Sequence, residues 1–349
     1  MSKETMSISE STRRRVKVSD VDTLEIVVEP VPEVLEDEAL VSLLVSGVCG
    51  SDTHALRGHH PVMKPPYYPG HEVVGIVEAV GSAVTNVKVG DRVTPEPTLP
   101  CGECKMCRTG RENICDNLGF FGCGFREGGM ADLFTVPADR LHLVPAGMTD
   151  KQAAIIEPLA TPVHAVRLAG DLTGKTVAVL GGGTIGLLVL AAAKYHGARA
   201  VVMTDMLEQK RAHALKAGAD AVFDAASPSL VADIHEFFGE TADVVFDCVS
   251  IQPTIDSAFA LTGKGGTVVV VGVPQRPVTV PLPAMQDMQV KLQGAATYLA
   301  EDYAEAIEII AAGGVDEDII ITNTFPLERA ADAFAASLTG LEVKVLVTP

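Results

Sequence analysis

Four cysteines, Cys101, Cys104, Cys107 and Cys115, stand at the spacing C-x2-C-x2-C-x7-C. Two-residue gaps let successive thiolates turn onto one ion, and a longer gap lets a small loop bring the fourth. Zinc takes such a tetrahedron of sulfurs; iron–sulfur clusters use similar spacings, so the motif by itself leaves the metal open. A nucleic-acid zinc ribbon is a further reading, and the charge opposes it. The chain has 27 Lys and Arg against 45 Asp and Glu, a formal net charge of −18, which repels phosphate backbones. A closed four-thiolate site has no open coordination position, so it is expected to stabilise its lobe and do no chemistry.

A second, looser set could do chemistry. Cys49 lies in Val48-Cys49-Gly50-Ser51-Asp52-Thr53-His54, His71 and Glu72 in Pro69-Gly70-His71-Glu72, and Glu157 in Ile155-Ile156-Glu157-Pro158-Leu159. One thiolate, one imidazole and one carboxylate can hold zinc and leave a position for a substrate oxygen. Spacing does not bring these residues together. Taken singly, Cys49 is more often a small buried side chain and His71 a structural one. Glu157 sits in the apolar stretch Ala153–Ala160, where a carboxylate needs a partner, either a metal or an arginine. Ser51 alone reads as a turn residue, and His54, His59 and His60 as surface histidines.

A third set concerns a nucleotide. The apolar run Thr176–Leu180 leads into Gly181-Gly182-Gly183-Thr184-Ile185-Gly186, which contains G-x-G-x-x-G, and a helical stretch, Leu187–Lys194, follows. In that context Gly181 permits the tight turn, Gly183 admits a pyrophosphate to the backbone, and Gly186 lets helix and strand pack closely. The phosphates then meet the free N–H groups of the helix N-terminus. Asp205 closes the next strand, 19 residues after Gly186. An acid there accepts from adenosine ribose hydroxyls and repels a 2′-phosphate, which favours NAD over NADP.

The elements that must carry these groups fall into two rhythms. A length of 349 residues with 47% hydrophobic content suits two domains with ample core. From Arg15 to Pro145 short β-type runs, Leu24–Val28, Ala39–Val45, Val73–Val80 and Asp91–Val93, suggest a partly closed all-β barrel. From Thr176 strand candidates recur about every 20 residues, at Thr176–Leu180, Ala200–Thr204, Ala221–Phe223, Val244–Asp247, Thr267–Val271 and Gln289–Gln293. Helical stretches such as Leu207–Ala217 and Ser229–Phe238 lie between them, which predicts a doubly wound parallel sheet. In the tail Asp302–Ala312 and Leu327–Leu338 read as helices and Lys344–Val347 as a strand that completes the first domain. No apolar run is long enough to span a membrane. Met1–Arg15 does not read as a signal peptide, and the first dozen residues are expected to fray. A cytoplasmic protein with reduced thiols is expected, so the seven cysteines point to metal or catalysis.

These segments resemble the medium-chain zinc-dependent alcohol dehydrogenases, and within them the polyol, sorbitol-type branch. The resemblance runs from about residue 16 to the end. It rests on Cys49-Gly50-Ser51-Asp52-Thr53-His54, on Gly70-His71-Glu72, and on Gly90-Asp91-Arg92-Val93 ahead of the four-cysteine lobe. It implies an α/β fold with a GroES-like β-barrel catalytic domain (1–159, zinc lobe 97–117), a Rossmann domain (160–297) and a return to the catalytic domain (298–349). It implies two zinc ions and NAD. Cys49 and His71 become ligands of the catalytic zinc. Glu72 and Glu157 both match carboxylates at that metal, and the resemblance does not choose between them. Ser51 matches the hydroxyl that passes on the substrate proton, His54 the next relay member, and Asp52 a group that orients the ligand histidine. Lys210 matches a residue near adenosine, Ile185 one beside the cofactor, and the Val271-Gly272-Val273 backbone one facing the nicotinamide.

The implied reaction is hydride transfer from an alcohol to NAD, giving a ketone or aldehyde. A small-molecule alcohol is the expected partner, in a homodimer or homotetramer meeting near Thr267–Pro281. Two positions depart from the sorbitol-type pattern: Ala55 stands where a tyrosine follows the relay histidine, and Thr297, before Tyr298, replaces an arginine. A different secondary alcohol, diol, cyclitol or amino-sugar alcohol is therefore expected, with Phe120, Phe121 and Leu299 either lining the pocket or packing the core. A threonine-type amino-alcohol or cyclitol dehydrogenase and a non-catalytic zinc- and NAD-binding protein are the competing readings.

Overall fold

Strand Glu38–Val48 is apolar almost throughout, and nearly every residue of it is buried. A strand of that kind needs neighbours on both edges and cover on both faces. In the computed structural model, which describes residues 12–60 and 63–349, it pairs antiparallel with Glu72–Val80, Leu133–Pro137 and Lys344–Thr348. The full sheet runs Ile321–Pro326, Lys344–Thr348, Glu38–Val48, Glu72–Val80, Arg92–Pro95, Leu141–Leu143, with Leu133–Pro137 added on Glu38–Val48. A hairpin, Thr12–Asp20 with Thr23–Pro30, stands beside it. Two cores fill this first unit, which comprises 1–157 and 321–349. One gathers Val16, Tyr67, Met130 and Phe334, the other Val41, Val77, Phe121 and Phe134.

The fraying expected at the N-terminus falls on residues 1–11, outside the described residues. Thr12 already begins a strand that the sequence reading misses. Its Arg13-Arg14-Arg15 run disguises the alternation, because Arg13 and Arg15 are buried as ion pairs.

The second unit comprises residues 158–320. Its six strands are all parallel, in the order Ala221–Asp224, Ala200–Asp205, Thr176–Leu180, Ala242–Asp247, Thr262–Val270, Lys291–Gly294. That is the doubly wound order 3-2-1-4-5-6. Helix Leu230–Phe238 shows how the layers close: Leu230, Ile234 and Phe238 recur at four-residue intervals, are buried, and pack on the sheet. Gly239 ends it in the left-handed conformation, φ 73°.

Two expectations need adjusting. Residues 298–320 lie in the second unit rather than with the returning tail. The cause is Asp302 of helix Ala300–Ala311, which accepts from His164 Nδ1 at 2.8 Å and pairs with Arg167 at 2.8 Å, both on helix Ile156–Ala169. Thr267–Val270, assigned to an interface, lies inside the sheet between two other strands; the edge strand on that side is Lys291–Gly294. Among the described residues no helix is long and apolar enough to cross a membrane.

The tightest helix–strand approach is at Gly186. A Cβ there would sit 1.9 Å from Gly181 O. Gly186→Ala is expected to destabilise the second unit by about 1–3 kcal/mol through overpacking, read as a lower midpoint in urea unfolding with the m-value unchanged.

Candidate metal centres and dinucleotide site

The four-cysteine lobe hangs from two short strands, Thr98–Leu99 and Gly119–Phe120. Its sulfurs lie close together: Cys101–Cys115 3.4 Å, Cys104–Cys107 3.5 Å, Cys104–Cys115 3.8 Å and Cys101–Cys107 4.0 Å. A tetrahedron of thiolates about 2.3 Å from zinc has edges near 3.8 Å. All four are free thiols. Backbone N–H groups point at the sulfurs, Cys107 N at Cys104 and both Cys101 N and Asn117 N at Cys115. The bond from Cys107 N and others like it hold the Cys104 thiol down to about 6. The set fits a closed metal site.

Cys49 ends the approach from strand Glu38–Val48 and caps helix Gly50–Leu56. His71 immediately precedes strand Glu72–Val80. Gly47 and Glu72 are paired opposite each other, so the two strand ends converge. The ligand atoms of Cys49, His71 and Glu72 all lie within 4.8 Å of one another. A Cβ on Gly47 would meet Glu72 Oε2 at 1.9 Å, so glycine there makes room for the carboxylate.

Asp52 is fully buried. One oxygen accepts from Cys49 N at 3.1 Å. The other, Oδ1, has no hydrogen-bond partner and lies 3.8 Å from His71 Nδ1. An orphaned buried carboxylate oxygen is costly. Here it faces the nitrogen that must carry a proton when His71 binds a cation through its other nitrogen. Burial pushes the Asp52 carboxyl up to about 6, against the pull of His71. Burial presses His71 toward neutrality, yet Asp52, Cys123 and Cys49 outweigh it and hold the imidazole well above its ordinary range.

Ser51 and His54 lie three apart on helix Gly50–Leu56, Ser51 half-buried and His54 exposed. Of the two glutamates, Glu72 joins the cluster and Glu157 does not, although Glu157 is 7% exposed and acts electrostatically on Lys344. Phe121 is core, whereas Phe120 sets its ring edge-on to His71 at 5.7 Å.

Two neighbours escape the sequence reading. Lys344 Nζ donates to Glu72 Oε1 and Oε2 at 2.5 and 2.7 Å and to Val48 O at 3.2 Å. Its signal was a lone cation opening the apolar run Lys344–Val347. Cys123 Sγ lies 3.9 Å from His71 Nδ1, and no spacing announces it.

In the second unit Gly181 turns at φ 104°. Gly183 caps helix Thr184–Tyr195, and a Cβ built on it meets nothing within 4 Å, which is the open approach a pyrophosphate needs. Ile185 is half-buried on the first turn. Asp205 Oδ2 accepts from Gly182 N and Oδ1 from Leu207 N, each at 2.9 Å. The Lys210 stem packs beside Gly182 with Asp205. Gly272 N donates to Asp247 O at 3.0 Å, and Val273 is 67% exposed.

Lys344→Met leaves the Glu72 carboxylate buried without its cation and is expected to cost about 3–5 kcal/mol in denaturant unfolding. Adding Glu72→Gln should return most of that loss. A double variant as unstable as the single one would count against the pairing.

Comparison with known proteins places the chain in a family. Residues 35–146 match the alcohol dehydrogenase GroES-like domain, and residues 184–312 match the zinc-binding dehydrogenase family. D-xylulose reductase A of Aspergillus niger is 33% identical over 328 residues, 91% of each chain. Sorbitol dehydrogenase of Bacillus subtilis is 32% identical over 337 residues, 94% of this chain and 95% of its own. The crystal structure of a Sinorhizobium meliloti protein bound to NADP superposes with a TM-score of 0.92 at 33% identity, over 97% of this chain and 100% of that one. With a GroES-like unit, a parallel six-stranded dinucleotide fold and relatives of this kind along nearly its whole length, the chain belongs to the medium-chain zinc-dependent alcohol dehydrogenase family, on its polyol branch.

Proposed function

We propose that the chain oxidises a secondary alcohol or polyol to the ketone with NAD, reversibly, using one zinc at Cys49 and His71 and a second, structural zinc in the four-cysteine lobe. The observation that carries the reading is the convergence of Cys49, His71 and Glu72 donors within 4.8 Å, with the unpartnered Asp52 oxygen behind His71. When bound, zinc supplies Lewis acidity toward the substrate hydroxyl and the dinucleotide supplies the hydride acceptor.

The side chains do the rest. Cys49 and His71 hold the cation, and Asp52 Oδ1, 3.8 Å from His71 Nδ1, faces the ring nitrogen turned away from the cation and favours that orientation electrostatically. Glu72 balances Lys344 and the cation together, and Glu157, outside the donor cluster, adds negative charge felt at Lys344. Ser51 accepts the proton leaving the substrate hydroxyl as it passes its own hydroxyl proton onward, and His54, on the same helix face and open to solvent, takes the relayed proton and exchanges it with water. Gly181, Gly183 and Gly186 with the helix N-terminus hold the pyrophosphate, flanked by Ile185. Asp205 accepts from the adenosine ribose, Lys210 lies beside it, and Val273 borders the nicotinamide. One relative binds NADP; Asp205 is the feature that favours NAD here. We place the enzyme in the cytoplasm as a homo-oligomer, with the edge strand Lys291–Gly294 as the contact, because an unpaired edge invites a second strand.

Ala55 is fully buried with Val16, Tyr67 and Phe334, so that position offers substrate no hydroxyl. A substrate with fewer recognised hydroxyls than sorbitol is expected: a diol, a cyclitol or an amino-sugar alcohol.

Cys49→Ala or His71→Ala should abolish NAD reduction across a panel of such alcohols and leave NAD affinity intact by fluorescence titration; full turnover in either variant would sink the assignment. Asp205→Ser should shift the NAD-to-NADP ratio of kcat/KM toward NADP by about 10–100-fold, the worth of a charge-assisted hydrogen bond. An unchanged ratio would remove Asp205 from the cofactor site.

A further inference from the structure

A buried charge network lies behind the Cys49–His71 cluster, and no step above uses it. Arg13, Arg15 and Glu127 are 2%, 3% and 5% exposed. Arg13 Nη1 and Nη2 donate to the two Glu127 oxygens at 2.7 and 2.9 Å. Arg15 Nη1 adds a donor to Glu127 at 3.3 Å. Glu29 accepts from both arginines at 2.7 Å. The Arg15 guanidinium also stacks 3.2 Å over the ring of Tyr68.

Glu127 belongs to the loop 122–130, which is laid directly on the segment that delivers His71. Gly129 N donates to Gly70 O at 2.7 Å, Met130 N to Pro69 O at 3.1 Å, and Gly122 N to Glu127 O at 3.0 Å. A Cβ on Gly128 would sit 2.2 Å from Tyr68 O, and one on Gly122 would sit 2.4 Å from Gly70 O and 2.8 Å from His71 N. At Gly122 and Gly128 the contact is backbone on backbone, so a shift of the loop is passed to the His71 backbone. The same loop carries Cys123, whose sulfur is 3.9 Å from His71 Nδ1. An apolar tie of equal volume would hold the loop without the desolvation cost of three charges. A guanidinium fork on a carboxylate adds fixed orientation.

We propose that Arg13, Arg15 and Glu127 are positioning residues: an ionic clamp that seats loop 122–130 against Pro69–His71 and so aims the His71 imidazole at the cation. The clamp rests on the assignment of a metal to Cys49 and His71.

The test uses the full chain loaded with cobalt(II), read by its visible absorption and by release to a chromogenic chelator. The four-cysteine lobe serves as an internal reference in the same molecule. The wild type should show two equivalents, one with an all-sulfur spectrum and one with mixed ligation; a single all-sulfur equivalent would overturn the metal assignment and the clamp with it. With both present, Glu127→Gln should shift the mixed-ligand band and speed release of that equivalent roughly tenfold or more, leaving the all-sulfur equivalent unchanged. Glu127→Asp keeps the charge with a shorter reach and should fall between the two. It also serves where the Gln variant does not fold. An unchanged band and release rate, or parallel loosening of both equivalents as a merely structural tie would give, overturns the clamp.

Discussion

Lys344 and Glu72 meet in a space from which water is excluded, the lysine 4% exposed and the glutamate 1%. Burial presses the ammonium toward neutrality, and Glu72 and Cys49 hold it charged. Three strand ends converge on the pair: Glu38–Val48 through the Val48 carbonyl, Glu72–Val80 through its first residue, and Lys344–Thr348 through its first. A one-residue slip in any of them would turn a side chain to the opposite face and strand a buried charge. Cys49 follows Val48 directly and His71 precedes Glu72 directly. The ion pair that ties the three strand ends therefore also sets where the candidate metal donors stand.

The two candidate metal sites use different physics. In the four-cysteine lobe the donors are alike, come from one short segment, and are tuned by backbone N–H groups within that segment. Such a site needs little from the rest of the fold. In the Cys49–His71 site the donors differ, come from separate strand ends, and depend on partners further out. Asp52 faces His71 at 3.8 Å, Phe120 meets its ring edge, and Lys344 compensates Glu72. The dinucleotide motif uses a third device, in which a carboxylate grips its own glycine loop. Asp205 ties Gly182 to the end of its strand, so the phosphate-facing turn is stiff before any ligand arrives.

The proposed substrate range rests on what is missing. Ala55 faces the core, where a larger side chain would have to displace Tyr67 or Phe334. Thr297 lies at φ 48°, a left-handed conformation unusual for a β-branched residue. Strain of that kind persists where surrounding structure over-determines it. The buried Tyr298 beside it and the Asp302 cap at Leu299 N supply that constraint.

Much was legible in order along the chain. The glycine motif between strand and helix, Asp205 at a strand end and the four-cysteine spacing are local patterns, and local patterns survive in one dimension because neighbouring residues enforce them. Five of the six second-unit strands both begin and end within about two residues of expectation, since buried parallel strands read as plain apolar runs. Strand Thr12–Asp20 was hidden because its buried residues are arginines, whose partners Glu29 and Glu127 lie elsewhere in the chain. The choice between Glu72 and Glu157, the tie from Glu72 to Lys344, the place of Cys123 beside His71 and the attachment of residues 298–320 through Asp302 all depend on contacts between distant segments. The sequence alone determined which chemical groups were available and which short motifs would hold them. Only the tertiary structure decided which distant groups meet, because proximity across strand ends is set by register and by buried charge pairing, and neither leaves a periodic mark in the chain.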